Sequence, residues 1–467
     1  MSITLWRSLW TMLQELRPAF SRRRTFLWFA VAVVGFCTRI DLAGVTSFLR
    51  CLGLKANCYG SLLDLFHSRA IKLEFLTRLW TALVLRVFPL FRVNGRAVFL
   101  ADGIKAPREG KKMPGVKLLH QESQSNSKPE FIMGHSCQAI SVLAGSASSI
   151  AAIPLVTRIH EGIVTSNRWK HSLLDKLFTL IVSLQINVPY YLVADAYYAS
   201  GKLVQSFLQA GHHLISRVRN NAVAFEMAPP SLQHKRGRPK LYGKKIRLRT
   251  VFNDLSLFTT ISSPVYGEHN QPISYRTLDL LWRPAQRVIR FVFVSHPLRG
   301  NIILMTSDLS LRPVDVITLY ALRFKIEVGF KAARHCLGTF SYHFWSLVMK
   351  PLRRGSGDQF LHRESLPYRT AVLRKAAAFH AFIQTGIIAQ GILLYLSITH
   401  TGTVWKSFGS WLRTVRPDVL PSEHVVSLAL RHSLPDFLAD TPHDDTLQKF
   451  IASHIDISRA EGLRLVS

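Results

Sequence analysis

Two apolar runs in this chain end on an acid: Val98-Phe-Leu-Ala-Asp102 and Val188-Pro-Tyr-Tyr-Leu-Val-Ala-Asp195. Each is short, uninterrupted and rich in β-formers, the pattern of a strand buried on both faces. Between them, residues 135–144 and 150–159 read as two more strands. Residues 171–184 place Leu173, Leu174, Leu177 and Ile181 on one helical face. After Asp195, Ser200 stands where it can cap a helix to about Gln209, and residues 214–218 return to strand. A meander of three strands followed by alternating helix and strand predicts a layered α/β sheet rather than a bundle or a sandwich.

The rest of the chain divides around that core. Residues 1–95 read as helical, and residues 41–68 have a helix–turn–helix rhythm. Leu42, Val45, Phe48, Leu49 and Leu52 share a face, and Gly53 ends the first helix. Asn57 can cap a second helix with Tyr59, Leu62, Leu63 and Phe66 inward. Two core helices without any DNA role give the same pattern. Residues 96–219 hold the first part of the core. Residues 220–300 are richer in Pro, Gly and alternating strands (246–252, 273–282, 287–295) and read as a β-rich insertion. Residues 301–400 resume the core, with a strand at 302–306 and a long helix opened by Arg312-Pro313. Residues 401–467 form a mildly acidic tail.

Lys and Arg total 59 against 28 Asp and Glu, a formal charge of +31. Charge on that scale speaks about partners, and nucleic acid is the polyanion it favours. The five cysteines, an odd number with no CxxC pair, argue against a disulfide framework and a structural zinc site. Two segments imitate membrane or export signals. Arg23-Arg24 precedes an apolar run too short to span a bilayer, without a cleavage site after it. Residues 376–399 contain no charged residue, but His380, Gln384 and Gln390 would be costly in lipid. Both read as buried core helices.

The long helix carries Tyr320, Arg323, Glu327, Lys331 and Arg334, at offsets of three, seven, eleven and fourteen from the tyrosine, so one helical face collects them. That spacing also suits an ordinary ion-pair ladder in water, worth about 0.3–0.5 kcal/mol per pair. The combination with the strand acids is more specific. Asp102 and Asp195, each at the carboxyl end of a strand, and Glu327 on a helix packed against the same sheet can converge. Three carboxylates in one place repel each other unless divalent cations join them. Mg²⁺ prefers oxygen ligands, and two such ions about 4 Å apart can cut and rejoin phosphodiesters without a side-chain nucleophile.

The acids in the order Asp, Asp, Glu, with the helix pattern Tyr-x-x-Arg-x-x-x-Glu, resemble the DDE transposases of bacterial insertion sequences, in the branch marked by a Tyr-Arg-Glu-Lys signature. Leu100-Ala-Asp102-Gly with Gly134-His135 downstream, Leu192-Val-Ala-Asp195-Ala-Tyr-Tyr and Thr306-Ser-Asp-Leu strengthen the resemblance, which spans roughly residues 40–400. It implies an RNase H-like catalytic core with a β-rich insertion, preceded by a helical DNA-binding region. It implies that Asp102, Asp195 and Glu327 bind two Mg²⁺ ions, with Mn²⁺ as a substitute, and that Tyr320 and Arg323 contact the element's end near the scissile phosphate. The family's closing Lys is replaced by Arg334, and arginine and lysine are not equivalent at a phosphate. Lys331, one turn nearer, is placed to share that role.

The expected partners are double-stranded DNA, as element ends and target, and a second copy of the chain on that DNA, with neither a membrane nor a small-molecule substrate. The expected location is the bacterial cytoplasm, on the nucleoid. A catalytically silent DNA-binding descendant of a transposase is the alternative. Arg236 and Arg238, in Lys235-Arg-Gly-Arg-Pro-Lys240, have the core of a minor-groove hook, and a solvated basic turn reads the same. Trp282 and Trp169 suit either base stacking or a core, and His135 suits a hydrogen-bonded core position.

Overall fold

The computed structural model describes residues 3–121, 129–146, 149–168, 171–229, 240–265, 267–268, 271–411, 413–440 and 446–459. Two compact units emerge, each from discontinuous stretches of chain. The first comprises residues 1–89, 103–186 and 328–467, and the second residues 90–102 and 187–327. Their borders cut across the five segments read from the sequence.

The second unit is built on a mixed sheet. Arg96–Pro107, whose first half belongs here, pairs in parallel with Tyr190–Ala194, which pairs in parallel with His213–Val218. Helix Gly201–Gln209 connects the last two. From His213–Val218 the sheet continues antiparallel through Gly300–Thr306, Arg287–His296 and Pro272–Trp282 to Val223–Met227 and Tyr242–Arg247. The insertion therefore extends the core sheet instead of standing apart as a module. The strand expected at 246–252 lies earlier, at Tyr242–Arg247. Its second half is a 3₁₀ stretch, Leu248–Asn253, in which Leu248 and Val251 turn inward. Trp282 is only 5 % exposed and serves the sheet's core, which removes it as a base-stacking group.

In the first unit, the far half of Arg96–Pro107 runs beside Phe131–Ser146, which forms an antiparallel hairpin with Ser149–Ile159. Gly134 allows that close approach: a Cβ there would lie 2.4 Å from the Ala106 carbonyl oxygen. The helix expected at 171–184 is Leu173–Ser183. It starts on a capping box in which Ser172 Oγ accepts from Asp175 N and the Asp175 carboxylate accepts from Ser172 N. Each unit by itself mixes strands and helices, as the α/β reading of the sequence expected.

The core of the first unit is helical. Helix Leu366–Thr399 packs on helix Arg23–Thr38 and on Ser149–Ile159. It is long and apolar enough to cross a membrane, yet between Ala378 and Ser397 all residues except His380 and Tyr395 are buried. Its polar groups have protein partners. Gln384 accepts from Arg158 Nη1 at 2.9 Å and donates to the Leu155 carbonyl at 3.0 Å, and Gln390 donates to the Gly329 carbonyl at 3.0 Å. These partners make it a protein-core helix. Helix Arg23–Thr38 is buried over Phe26–Thr38, as expected.

The helix–turn–helix rhythm corresponds to helices Thr46–Cys51 and Cys58–His67, with Gly53 at φ +58° between them. Leu62 and Phe66 are buried, whereas Tyr59 points outward and Asn57 makes no side-chain cap. The tail contributes too: helices Glu423–Ala439 and Thr446–His454 pack against Arg23–Thr38.

Gly391, on the long helix, faces Trp80, which is fully buried and donates to the Pro154 carbonyl at 3.0 Å. A Cβ at Gly391 would lie 2.1 Å from a Trp80 ring carbon. Gly391→Ala is therefore expected to destabilise the chain by about 1–3 kcal/mol through overpacking, read as a lower midpoint in urea.

Candidate active site

Strand register brings the first two acids together. Leu100 pairs with Val193 and Ala101 with Ala194, so Asp102 and Asp195 are the next residue on each of two parallel strands. In-register positions on parallel strands point to the same face, about 4.8 Å apart. Asp195 does end its strand. Its carboxylate caps the following 3₁₀ turn, accepting from Tyr197 N at 3.0 Å, and its carbonyl accepts from Ser216 Oγ at 2.7 Å. Asp102 departs from expectation: its strand continues to Pro107, and only the pairing with Tyr190–Ala194 stops at Ala101.

The expected single helix is also broken. Helix Pro313–Leu322 stops before Arg323, helix Phe324–Ala332 follows, and Ala333–Leu337 is a π turn. Around the break the hydrogen bonds tighten to a three-residue span: Arg323 N to Tyr320 O, and Ile326 N to Arg323 O. Such a break re-aims side chains. The stripe from Tyr320 to Arg334 is thus not one continuous face.

What the break aims is Arg323. Its Nη1 donates to Asp102 Oδ2 at 2.6 Å and its Nη2 to Glu327 Oε1 at 2.8 Å. One guanidinium spans the strand acid and the helix acid, with Asp102 14 % and Arg323 19 % exposed. Burial alone would lower the Arg323 pKa, but Asp102, Tyr320, Glu327 and Asp195 together raise it above the ordinary arginine value. Burial likewise raises Tyr320 above 10, and Asp195 adds to that rise while Arg323 opposes it. Tyr320, Arg323, Glu327, Asp102 and Asp195 therefore form one electrostatic cluster within the second unit. Among the described residues, no three acidic, histidine or cysteine side chains stand together as a ready metal site. The three carboxylates meet around a cationic side chain.

Lys331 is exposed on helix Phe324–Ala332. Arg334 is half-buried and donates from Nη2 to the Lys105 carbonyl, and burial lowers its pKa. Both belong to the first unit. Arg236, Arg238 and Trp169 lie outside the described residues. His135 is a core histidine: it is fully buried between the Tyr342 hydroxyl at 2.5 Å and the Pro114 carbonyl at 2.8 Å.

Asp308, within Thr306-Ser-Asp-Leu, is a buried acid to which no sequence expectation gave a role. Asp308 is 7 % exposed; it accepts from Tyr191 Oη at 2.6 Å and from Ser310 N and Oγ at 2.9 and 2.6 Å. Burial would raise its pKa, but the Ser310 and Tyr191 hydrogen bonds hold it below 3.8. It ties the strand that ends in Asp195 to the loop before helix Pro313–Leu322. The signal was a lone acid directly after an apolar strand.

A family model described as "DDE superfamily endonuclease" matches residues 15–256, a stretch that includes Asp102 and Asp195 but stops short of Glu327. Among the curated proteins, none matches this sequence. A chain in the cryo-EM structure of a piggyBac transposase synaptic complex with hairpin DNA is similar at 12 % identity and a TM-score of 0.34, over 93 % of this chain and 76 % of that one. On the strength of a match over more than half its 467 residues, the chain belongs to the DDE superfamily of endonucleases.

Proposed function

We propose that this chain is a DNA transposase. It binds the inverted repeats of its own element, cleaves at the ends and joins the freed 3′ hydroxyl to target DNA. The observation that carries the reading is the pairing of Asp102 and Asp195 in strand register, with Glu327 tied to Asp102 through Arg323. An oxygen-only donor set of three carboxylates fits a hard divalent ion, and Arg323 places positive charge between two of them. Asp102, Asp195 and Glu327 would hold two Mg²⁺ ions, or Mn²⁺ in their place. Bound there, the ions supply charge to activate the attacking oxygen and stabilise the leaving one.

The remaining roles fall to the chain itself. Arg323 keeps Asp102 and Glu327 from repelling each other before DNA arrives, and its guanidinium can then turn to a phosphate. Tyr320, beside it, contacts the element's end near the same phosphate. Lys331, Arg334, Arg236 and Arg238 add backbone contacts, and the helices of residues 1–95 take part in recognising the ends. Two copies of the chain hold two ends in one complex.

The test is cleavage of a plasmid carrying the coding region with its flanking DNA. Mg²⁺-dependent breaks at short inverted repeats support the reading; binding without breaks under any divalent ion supports the catalytically silent alternative. A second expectation concerns Arg323→Gln, which leaves two carboxylates without their shared cation. In EDTA the variant should lose about 1–3 kcal/mol, and Mg²⁺ should restore part of it in thermal melts. An equal loss with and without Mg²⁺ would separate Arg323 from the metal site.

A further inference from the structure

Residues 341–349 of the first unit form neither helix nor strand, yet their inward side chains are fixed. Tyr342 stacks on Phe379 with ring centroids 4.8 Å apart. Phe344 is 4 % exposed and packs on Phe66 and Phe382. Met349 clusters with Leu361 and Val372. Main-chain bonds clasp this segment to a second loop: Ser346 N to Lys112 O at 2.9 Å, and Leu352 N to Lys111 O at 2.7 Å. The outward side chains are large and apolar. Trp345 is 57 %, Leu347 84 % and Val348 59 % exposed. A tightly anchored segment that holds three such groups in water marks a contact surface.

The clasp is cationic. Arg108, Lys111, Arg353 and Arg354 line a cavity of about 420 Å³ between the two loops, in which Glu109 is the one carboxylate among the described lining residues. Lys350 follows directly, 71 % exposed and paired with Glu364. Apolar tips rimmed by Lys and Arg are the chemistry of proteins that wedge a side chain between base pairs in the minor groove and kink the duplex. An irregular, narrow tip suits a base step better than it suits a bilayer, where an amphipathic helix face is the usual device.

We propose that this surface binds and bends duplex DNA, with Leu347 and Trp345 entering between base pairs and Lys111, Arg353 and Arg354 on the flanking phosphates. The proposal rests on the reading that the chain works on DNA, and it does not require that the chain cut it. The test uses the full chain and a 40-bp duplex of about mixed composition, dye-labelled at both ends, in EDTA, so that binding and bending are read without cleavage. Wild type should shorten the end-to-end distance. The pair Trp345→Ala and Leu347→Ala should abolish the shortening while weakening binding by about threefold or less. The triple change Lys111→Gln, Arg353→Gln and Arg354→Gln should lower the log–log salt slope by about 2.7, at about 0.9 per phosphate contact. Because these side chains are exposed, melting curves should be unchanged; should the double variant lose stability, Leu347→Ser alone carries the bending test. Unchanged bending and salt slope in the variants would overturn the proposal. So would loss of binding to phosphatidylserine vesicles with DNA binding intact. Bending that survives in a chain unable to cleave would leave this surface standing and count against the transposase reading alone.

Discussion

Asp195→Asn is expected to lower DNA cleavage by about 10³-fold or more while leaving duplex binding near that of the wild type. The local fold should survive, because asparagine retains the Oδ1 that accepts from Tyr197 N and the carbonyl that accepts from Ser216 Oγ is main chain. What the change removes is one negative charge beside Asp102. If that charge holds a divalent ion, as proposed, losing it forfeits the several kcal/mol a bound ion supplies to phosphoryl transfer, and about 4 kcal/mol corresponds to a factor of 10³ in rate. Cleavage assays and gel shifts on the same preparation separate the two effects. A variant that cuts as well as wild type would remove Asp195 from the site.

The second large effect is on stability in acid. His135, His160 and His380 all lie in the first unit, and burial lowers their pKa values from 6.5 to about 4, about 4 and about 3. Geometry independently marks one of them, His380, as neutral. The Pro114 carbonyl can only accept, so His135 carries a proton on Nε2, with its Nδ1 against the Tyr342 hydroxyl. His380 Nε2 accepts from Ile159 N at 3.2 Å. In the unfolded chain all three take up protons near pH 6.5, whereas the folded chain resists until about pH 4. Their contribution is therefore complete above pH 6.5 and is lost as pH falls toward 4. With three protons taken up only on unfolding, stability should fall by up to about 4 kcal/mol per pH unit near pH 5. Urea midpoints from pH 7.5 to 4.5 measure this. His135→Gln should flatten the profile by about one proton, and an unchanged slope in all three glutamine variants would refute the assignment.

Much of the fold was legible because its strands are short apolar runs between polar turns. The meander, the two acid-terminated strands and helix Leu173–Ser183 all follow from period and capping. The insertion's place in the sheet was not legible, since the pairings of Gly300–Thr306 with His213–Val218 and of Pro272–Trp282 with Val223–Met227 join strands far apart in sequence. The buried long helix was readable from its glutamines, whose partners lie far away in the chain. At the candidate site, the acids' identities were readable, but the break at Arg323 was not. A helical period continues through residues 320–334, and only tertiary contact draws Arg323 onto Asp102 and Glu327. The dual character of residues 341–354, anchored on one side and apolar in water on the other, likewise has no periodic signature.

Whether Asp102, Asp195 and Glu327 hold divalent ions together is read by paramagnetic titration of the DNA-bound chain with Mn²⁺. Tight Mn²⁺ sites are expected in the wild type and should be lost or sharply weakened in each of Asp102→Asn, Asp195→Asn and Glu327→Gln. Mn²⁺ binding of equal stoichiometry and strength in all four proteins would contradict that expectation.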